Sequence, residues 1–436
     1  MFNKFLNFVQ TKTGVVYQNS YLLQNIDLII MGALATTLLA SLVLPSGAIG
    51  LGAWAVIGLT FLKLLFCKEQ KLELLLSERI LLVFFLIVFV SLCGSTLFML
   101  SLKGFLKTLT YILFYFSVAQ LFKSNLKYGI ATLFVIALGV CFESGIAFLQ
   151  NFTHVQAIAG WQDTSNLNPE QIMTRVYGTL QSYNPNLFGG YLVVAFPACF
   201  GCALWLLLKK FYKLAIVFAI GGLASVLALI FTGCRGAYIA LFLMTLVTLG
   251  VSLKFFWQNY KKIYMFVVGT GMALSTALIL ASASLRARIF SIFAMRNDSS
   301  NSFRFNVYQS SWQMFQDNWL LGIGVGNKNF REIYGLYMKT GFDALSAYNI
   351  YLETAVESGI FALIVFVVYL GMQIFYSLKY IFTSKNYCNV ILMCVAFVSL
   401  IGVMVHGMVD TVFYRPQVQI VFWTLMALIC AVKWEK

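Results

Sequence analysis

The chain has 436 residues, of which 61% are hydrophobic and only 10% are charged, and its mean hydropathy is +0.85. Soluble domains carry roughly 25% charged residues, so this composition excludes a soluble globular protein and indicates a membrane protein. The formal charge of +15 comes from lysines and arginines placed between apolar runs. No basic, aromatic-rich soluble module is present, so nucleic acid is not an expected partner.

The apolar residues fall into twelve runs, each close to the ~20 residues that a helix needs to cross ~30 Å of hydrocarbon. The runs lack the alternation of a barrel strand, and helices satisfy their own backbone in lipid. We therefore predict one all-α integral membrane domain over residues 1–436. It has about 12 transmembrane helices and a large outer (periplasmic) loop before the last three. The predicted spans are 26–44, 48–66, 80–100, 104–122, 129–149, 187–208, 212–232, 237–256, 262–283, 358–378, 389–407 and 417–433.

Most lysines lie in the connections that follow alternate spans, so they gather on one side of the predicted membrane domain. The positive-inside rule assigns that side to the cytoplasm. We therefore predict a multi-pass protein of a bacterial inner (plasma) membrane with both termini cytoplasmic. Residues 1–25 lack the basic start and apolar core of a signal peptide, so the first span is expected to be an uncleaved anchor. The connection lysines are Lys68, Lys71, Lys123, Lys127, Lys209, Lys210, Lys213, Lys254, Lys261, Lys262, Lys379 and Lys385.

Two connections on the opposite side are long, 150–186 and 284–349. Loops of this length are usually functional or disordered, and their many aromatic residues argue for order. A helix beginning at Phe303 would place Val307, Ser311 and Met314 with it on one face. We expect that helix to lie along the membrane interface with this face toward lipid.

Eight arginines lie on the predicted outer side, where positive charge is normally scarce. Arginine grips phosphate or carboxylate at two points, whereas lysine acts as a point charge. A bound anion is one explanation, and local pairing with loop carboxylates is the other. Four of the eight, Arg175, Arg235, Arg304 and Arg415, are candidate substrate-binding residues, and the others are Arg286, Arg288, Arg296 and Arg331.

Gly322, Gly324 and Gly326 form a GxGxG immediately before Asn327. No βαβ pattern surrounds these glycines, so a dinucleotide site is not expected. The glycines predict either a tight turn near the membrane surface or a backbone site for an anion. On the second interpretation Gly324, Gly326 and Asn327 would bind substrate.

Two further polar groups lie near the predicted outer surface. Asn184 and Asn186 flank Pro185, which is typical of a helix start, and both asparagines are also candidates for substrate binding. His406 and Asp410 are one helical turn apart and predict either a structural hydrogen bond or a substrate-linked proton relay. The nine cysteines show no metal-ligand spacing, so we expect no disulfide, no metal and no cofactor.

Several stretches carry a family resemblance. Four of them resemble the O-antigen ligase and polymerase superfamily, namely 304–312, 319–327, 346–353 and 357–359. Five others resemble one branch of it more closely, the cyanobacterial inorganic-carbon (bicarbonate) transporter family, namely 175–178, 183–187, 233–237, 298–304 and 406–416.

The resemblance implies an inverting, metal-independent transfer of a glycan from undecaprenyl diphosphate at the outer face. Arg235 and Arg304 match the arginines that hold the diphosphate in that family, so the resemblance implies that both converge on one outer cavity and that Tyr348 lines the same cavity. The position of the family's catalytic histidine is Tyr348 here, and a tyrosine with a pKa of ~10 rarely exchanges protons near neutrality. Either Tyr348 only positions the substrate, or Glu353 or Glu357 serves as the catalytic base, or the chain does not catalyse transfer.

Two function classes, and a third possibility, follow from these features. A glycan transferase or ligase accounts for the long ordered loops and the outer arginines. A bicarbonate carrier accounts for the missing histidine, but carriers usually show internal repeats, which are absent from this sequence. We therefore rank the glycan class first and keep a non-catalytic binding or assembly role as the third possibility. The expected partners are an undecaprenyl-diphosphate-linked glycan or a small anion, together with membrane lipids.

Overall fold

Helices account for nearly all of the chain that the computed structural model describes, which is residues 2–67, 74–153 and 174–434. Lys68, Lys71 and most of the predicted loop 150–186 lie outside these ranges. In chain order the helices are α1 (Phe2–Asn19), α2 (Tyr21–Gln24), α3 (Ile26–Ala40), α4 (Ser46–Phe66), α5 (Leu76–Gly94), α6 (Phe98–Ser124), α7 (Leu126–Phe152), α8 (Pro185–Ala195), α9 (Pro197–Leu208), α10 (Tyr212–Phe231), α11 (Arg235–Ala281), α12 (Ala283–Phe290), α13 (Ser299–Asp317), α14 (Asn327–Tyr334), α15 (Ile350–Thr383), α16 (Tyr387–His406) and α17 (Pro416–Trp434).

Ten helical stretches in the described ranges are long and apolar enough to cross a membrane, with α8 and α9 forming one of them. The prediction of an all-α membrane protein is therefore confirmed. The first predicted span is the 15-residue helix α3, which at 1.5 Å per residue reaches only ~22 Å. These ten helical stretches do not establish the predicted count of twelve spans.

The eighth and ninth predicted spans form the single 47-residue helix α11, which contains a non-helical residue at Tyr260 (φ −130°, ψ 28°). The Tyr264 hydroxyl donates to the Leu249 carbonyl at 2.8 Å. Fifteen residues of straight helix would separate these groups by ~22 Å, so the chain must reverse near Tyr260. The two halves of α11 are therefore antiparallel, as the two predicted spans require.

Helix α17 lies at the centre of the bundle and is buried along most of its length. Its consecutive residues Ile420, Val421 and Phe422 point in different directions and are all apolar and buried, and such a helix is stable only when other helices surround it. Its neighbours include α6, α15 and α16. Helix α11 begins at one end of the bundle, which we call the arginine end. Helices α15 and α17 also begin at this end, and α16 ends there.

The segment between α11 and α15 forms its own small hydrophobic core at the arginine end. Val307 and Met314 of α13 are fully buried there against Ile323, Phe330 and Tyr334. The predicted orientation of this face toward lipid is therefore wrong. The face is covered by aromatic residues that follow α13 in the chain.

Candidate anion-binding site

Arg235 is the first residue of α11 and is 5% exposed. Its guanidinium lies 2.8 Å from the Asp298 carboxylate and also donates to the Ser291 carbonyl at 3.2 Å. Asp298 in turn caps α13 by accepting from the Asn301 amide. Arg235 therefore ties the start of α11 to the start of α13.

Arg304 lies on α13 and faces the same space. Its guanidinium is 3.5 Å from the Asp410 carboxylate and stands 5.8 Å from the centre of the Tyr348 ring. Arg235 and Arg304 are 69 residues apart in the chain. Both line one cleft that encloses about 560 Å³ of space, part of it open to solvent. The predicted convergence of these two arginines on one cavity is confirmed. Other residues of the lining are Ile239, Met295, Asn301 and Tyr308.

Two more arginines stand beside this cleft and hold the turn that precedes α11. Arg288 donates to the Gly233 carbonyl at 2.7 Å, and Arg175 donates to the Thr232 carbonyl at 2.7 Å. Gly233 has φ +61°, and a Cβ there would stand 3.1 Å from the Arg175 guanidinium, so glycine suits both the turn and the contact.

The four guanidinium groups are close enough to affect one another. Burial, and then the charges of Arg175 and Arg235, lower the pKa of Arg288 to about 10. Burial also lowers the pKa of Arg175, with Arg235 and Arg304 acting in the same direction. The site is therefore a region of concentrated positive potential, which favours a bound anion.

Asn184 and Asn186 have structural roles at this site. The Asn184 side chain caps α8 by accepting from the Asn186 amide, so the predicted helix start is confirmed. The Asn186 side-chain oxygen accepts from Arg175 at 2.7 Å. The segment that carries Arg175 is further held by α7, because the Glu143 carboxylate accepts from both the amide and the hydroxyl of Thr179.

The predicted His406–Asp410 pair is not formed within the described part of the chain. Helix α16 ends at His406, and although the Asp410 amide donates to the His406 carbonyl at 3.1 Å, the two side chains bind other partners. His406 is buried with its Nε2 atom 3.5 Å from the Cys234 sulfur, while Asp410 accepts from the Thr411 amide and faces Arg304.

Tyr348 does not line the cleft, so its predicted place in the cavity is wrong. Its ring packs edge-on against Phe303 at 5.8 Å, and the Arg304 guanidinium lies over the face of the ring. Its backbone is left-handed (φ +51°), which is uncommon for a non-glycine residue. Burial raises the pKa of the Tyr348 phenol, so this group is poorly suited to accept a proton.

Glu353 and Glu357, the predicted alternative bases, belong to a different polar cluster. Glu353 accepts from the Ala347 amide at 3.2 Å, and Glu357 accepts from the Gly326 amide at 2.8 Å. Glu357 lines a second cavity, inside the helix bundle, that shares no lining residue with the arginine cleft. Arg415, at the start of α17, is exposed and is also absent from the cleft lining.

The GxGxG segment does not offer its amides to an anion. The Gly324 amide donates to the Glu357 carbonyl at 2.9 Å, and the Gly326 amide donates to the Glu357 carboxylate. Asn327 is exposed, and its side chain donates to the Leu345 carbonyl. The tight-turn interpretation is therefore correct, and the anion interpretation of these residues is wrong.

Several members of the site were not among the sequence candidates. Asn301 and Tyr308 stand three residues before and four residues after Arg304, so a helix places all three on one face. That spacing could have identified both residues. Arg288 and Asp298 come to the site through the fold of the segment before α13, for which no local pattern exists.

Residues 220–367 match the family model described as O-antigen ligase. This stretch contains Arg235, Arg288 and Arg304, while Arg175 and Asp410 lie outside it. No curated protein matches the chain. Over residues 220–367 this chain is therefore similar to the O-antigen ligase family, and its many apolar helices are those of a multi-pass membrane protein.

Proposed function

We propose that this ligase- or polymerase-like membrane protein binds a polyprenyl-diphosphate-linked glycan with the diphosphate between Arg235 and Arg304. The glycan is transferred at the outer face of the inner membrane without a metal ion. The convergence of these two distant arginines on one cleft is the observation that carries the proposal. A diphosphate has several charged oxygens and suits more than one two-point grip.

The charge of the cleft supports a ligand with more than one negative charge. Arg235, Arg288 and Arg304 contribute three positive charges, against the two carboxylates of Asp298 and Asp410. Arg175 adds to the same positive field. A buried excess of positive charge is costly unless an anion compensates it, so a bound diphosphate stabilises the site.

The arginines would act mainly on the leaving group. In an inverting transfer the acceptor hydroxyl attacks the anomeric carbon while the bond from that carbon to the diphosphate oxygen breaks. Negative charge develops on the diphosphate, which leaves as an anion and needs no proton. Guanidinium groups already held in place by Asp298 and the Gly233 carbonyl stabilise that charge with little reorganisation.

The proton of the acceptor hydroxyl requires a base near the cleft. Asp410, which follows the cleft residue Val409, is the carboxylate that we assign to this step, because it lies 3.5 Å from Arg304. Asp298 is bound more closely by Arg235, at 2.8 Å, and is less available. Tyr348 then has a positioning role, because the Arg304 guanidinium lies over its ring.

A transfer assay tests this function. Purified protein in lipid nanodiscs would receive the polyprenyl-linked fraction extracted from host membranes, so that no glycan is chosen in advance. Release of free polyprenyl diphosphate together with a new glycoconjugate is the expected result. Arg304→Ala should abolish it, whereas Arg331→Ala should not, because Arg331 pairs with Asp343 on the exposed surface.

The same variants address the bicarbonate alternative. Accumulation of bicarbonate in liposomes by the unaltered protein, lost in Arg304→Ala and without any glycan transfer, would overturn the proposed function. A well-folded protein that shows neither activity but retains polyprenyl diphosphate would indicate a binding or assembly role and would contradict the transfer step.

A further inference from the structure

A second polar region lies inside the bundle, between α5, α6, α15 and α17. It begins at a cavity of about 50 Å³ with Glu357 and Thr354 on one wall and Trp423 on another. Trp423 is 5% exposed, and its indole N–H has no hydrogen-bond acceptor among the described residues. A buried indole donor usually finds a partner, so this cavity suits a polar occupant.

Buried polar groups continue from this cavity along one face of α15. Tyr369, Gln373 and Ser377 follow one another at four-residue steps and are each fully buried. The Tyr369 hydroxyl interacts with the Gln373 amide and with Tyr115, while the Ser377 hydroxyl has no hydrogen-bond partner among the described residues. Such a row is unfavourable in a dry interior, and the favourable alternative is a row of bound water molecules.

Contacts make this row continuous with the cavity. The Trp423 ring lies 6.1 Å from the Tyr369 ring and 5.5 Å from the Tyr115 ring, measured between centres. The Tyr115 hydroxyl is 2.9 Å from the sulfur of Cys430, one turn before the end of α17. Aromatic hydroxyl and indole groups therefore connect the cavity with the far half of the bundle.

A buried ion pair, Glu78 with Lys123, lies near the opposite end of the bundle, within electrostatic range of Tyr369 and Tyr115. Glu78 is 1% exposed and lies 2.7 Å from Lys123, which is two residues before Asn125, in the connection between α6 and α7. Ser77, beside Glu78, is buried, and its hydroxyl interacts with the Cys430 thiol. Ionisable side chains thus stand at both ends, Glu357 at the arginine end and Glu78 at the other.

We propose that the cavity and the Tyr369–Gln373–Ser377 row form a hydrated path that conducts protons through the bundle between Glu357 and Glu78. Hydroxyl, amide and water groups in series can pass a proton by exchanging hydrogen bonds, and carboxylates at the two ends can accept and release it. Ionisable groups buried in a membrane bundle commonly mark such relays. The path shares no lining residue with the arginine cleft, so it is independent of the glycan function.

Proton flux into liposomes tests this proposal. The purified chain would be reconstituted with a trapped pH-sensitive dye, and a potassium gradient with valinomycin would set the membrane potential. The unaltered protein should change the internal pH several-fold faster than protein-free liposomes. Tyr369→Phe and Gln373→Leu should each bring the rate close to that of protein-free liposomes, because each removes a link of the row.

Phe375→Leu is the matched control, since Phe375 lies at the same depth of α15 but is 58% exposed on the outside of the bundle. It should keep the full rate. Tyr369→Phe removes a single hydroxyl and keeps the ring, so it remains informative if Gln373→Leu does not fold. A rate for the unaltered protein equal to that of protein-free liposomes overturns the proposal, as does a full rate in Tyr369→Phe.

Discussion

At the scale of single residues, the choice of arginine over lysine in the cleft matters more than charge alone. Arg235→Lys and Arg304→Lys keep one positive charge but lose the planar two-point grip. Losing one charge-assisted hydrogen bond costs about 1.5–3 kcal/mol, so we predict a fall in kcat/KM of roughly 10- to 100-fold for each variant. Initial rates of glycan transfer measure this. Arg331→Lys should be unchanged, and full activity in both cleft variants would argue against two-point recognition.

Tyr348 is expected to be less important than the arginine that it supports. Its pKa is raised by burial, so the phenol stays protonated near neutral pH and cannot act as a base. Tyr348→Phe keeps the ring behind Arg304, and we predict a smaller loss of transfer than in Arg304→Ala. Equal losses in the two variants, measured as single-turnover rate constants, would give Tyr348 a chemical role.

The depressed pKa of Arg288 predicts how anion binding depends on pH. The guanidinium holds its proton below about pH 10 and loses it as the pH rises through that value, so binding weakens only there. A bound anion raises this pKa, so in the complex the guanidinium loses its proton at a still higher pH. Affinity for undecaprenyl diphosphate should therefore be flat from about pH 7.5 to 9. Titration of Arg288→Met should show weaker binding throughout and no step near pH 10.

At the scale of elements, the break in α15 and the glycine segment depend on each other. Gly359 interrupts α15 with φ +79°. The backbone carbonyls near this break are free to pair with the glycine segment, and the Ile323 amide donates to the Val356 carbonyl at 2.9 Å. A Cβ on Gly359 would overlap the Leu320 carbonyl oxygen. The pairing explains why the GxGxG amides are not available to an anion.

Gly359→Ala is therefore expected to destabilise the protein by at least ~2 kcal/mol, from the strained backbone and the overlap together. Gly371→Ala is the matched control on the same helix, because nothing lies within 4 Å of its added methyl group. The control should be neutral or slightly stabilising. Thermal unfolding of the two variants in detergent compares them, and equal Tm values would contradict the role given to Gly359.

Helix positions could be predicted from the sequence because the bilayer sets both the length and the apolar character of each span. The buried face of α13 could not, because Phe330 and Tyr334, which cover Val307, come from another helix. The convergence of Arg235 and Arg304 could be predicted because both resemble the family's diphosphate-binding arginines and both lie on the side where positive charge is scarce. The separation of Glu357 from them depends on the break at Gly359, which no local pattern reveals.

At the scale of the whole molecule, the distribution of charge predicts the orientation in the membrane. The lysine-rich connections should face the cytoplasm, which places the arginine end outside. In a cysteine-free background, Asn327→Cys should react with an impermeant maleimide in intact cells, since Asn327 is exposed. Lys385→Cys, at the opposite end of the bundle, should react only after permeabilisation. The reverse pattern would invert the predicted topology.

The most direct test of the central claim is a structure of the protein in nanodiscs with undecaprenyl diphosphate. Density for the diphosphate is expected in the cleft between Arg235 and Arg304, within hydrogen-bonding distance of both guanidinium groups, and absent in Arg304→Ala. Diphosphate density elsewhere, or a cleft that stays empty while the lipid binds another surface, would contradict the account.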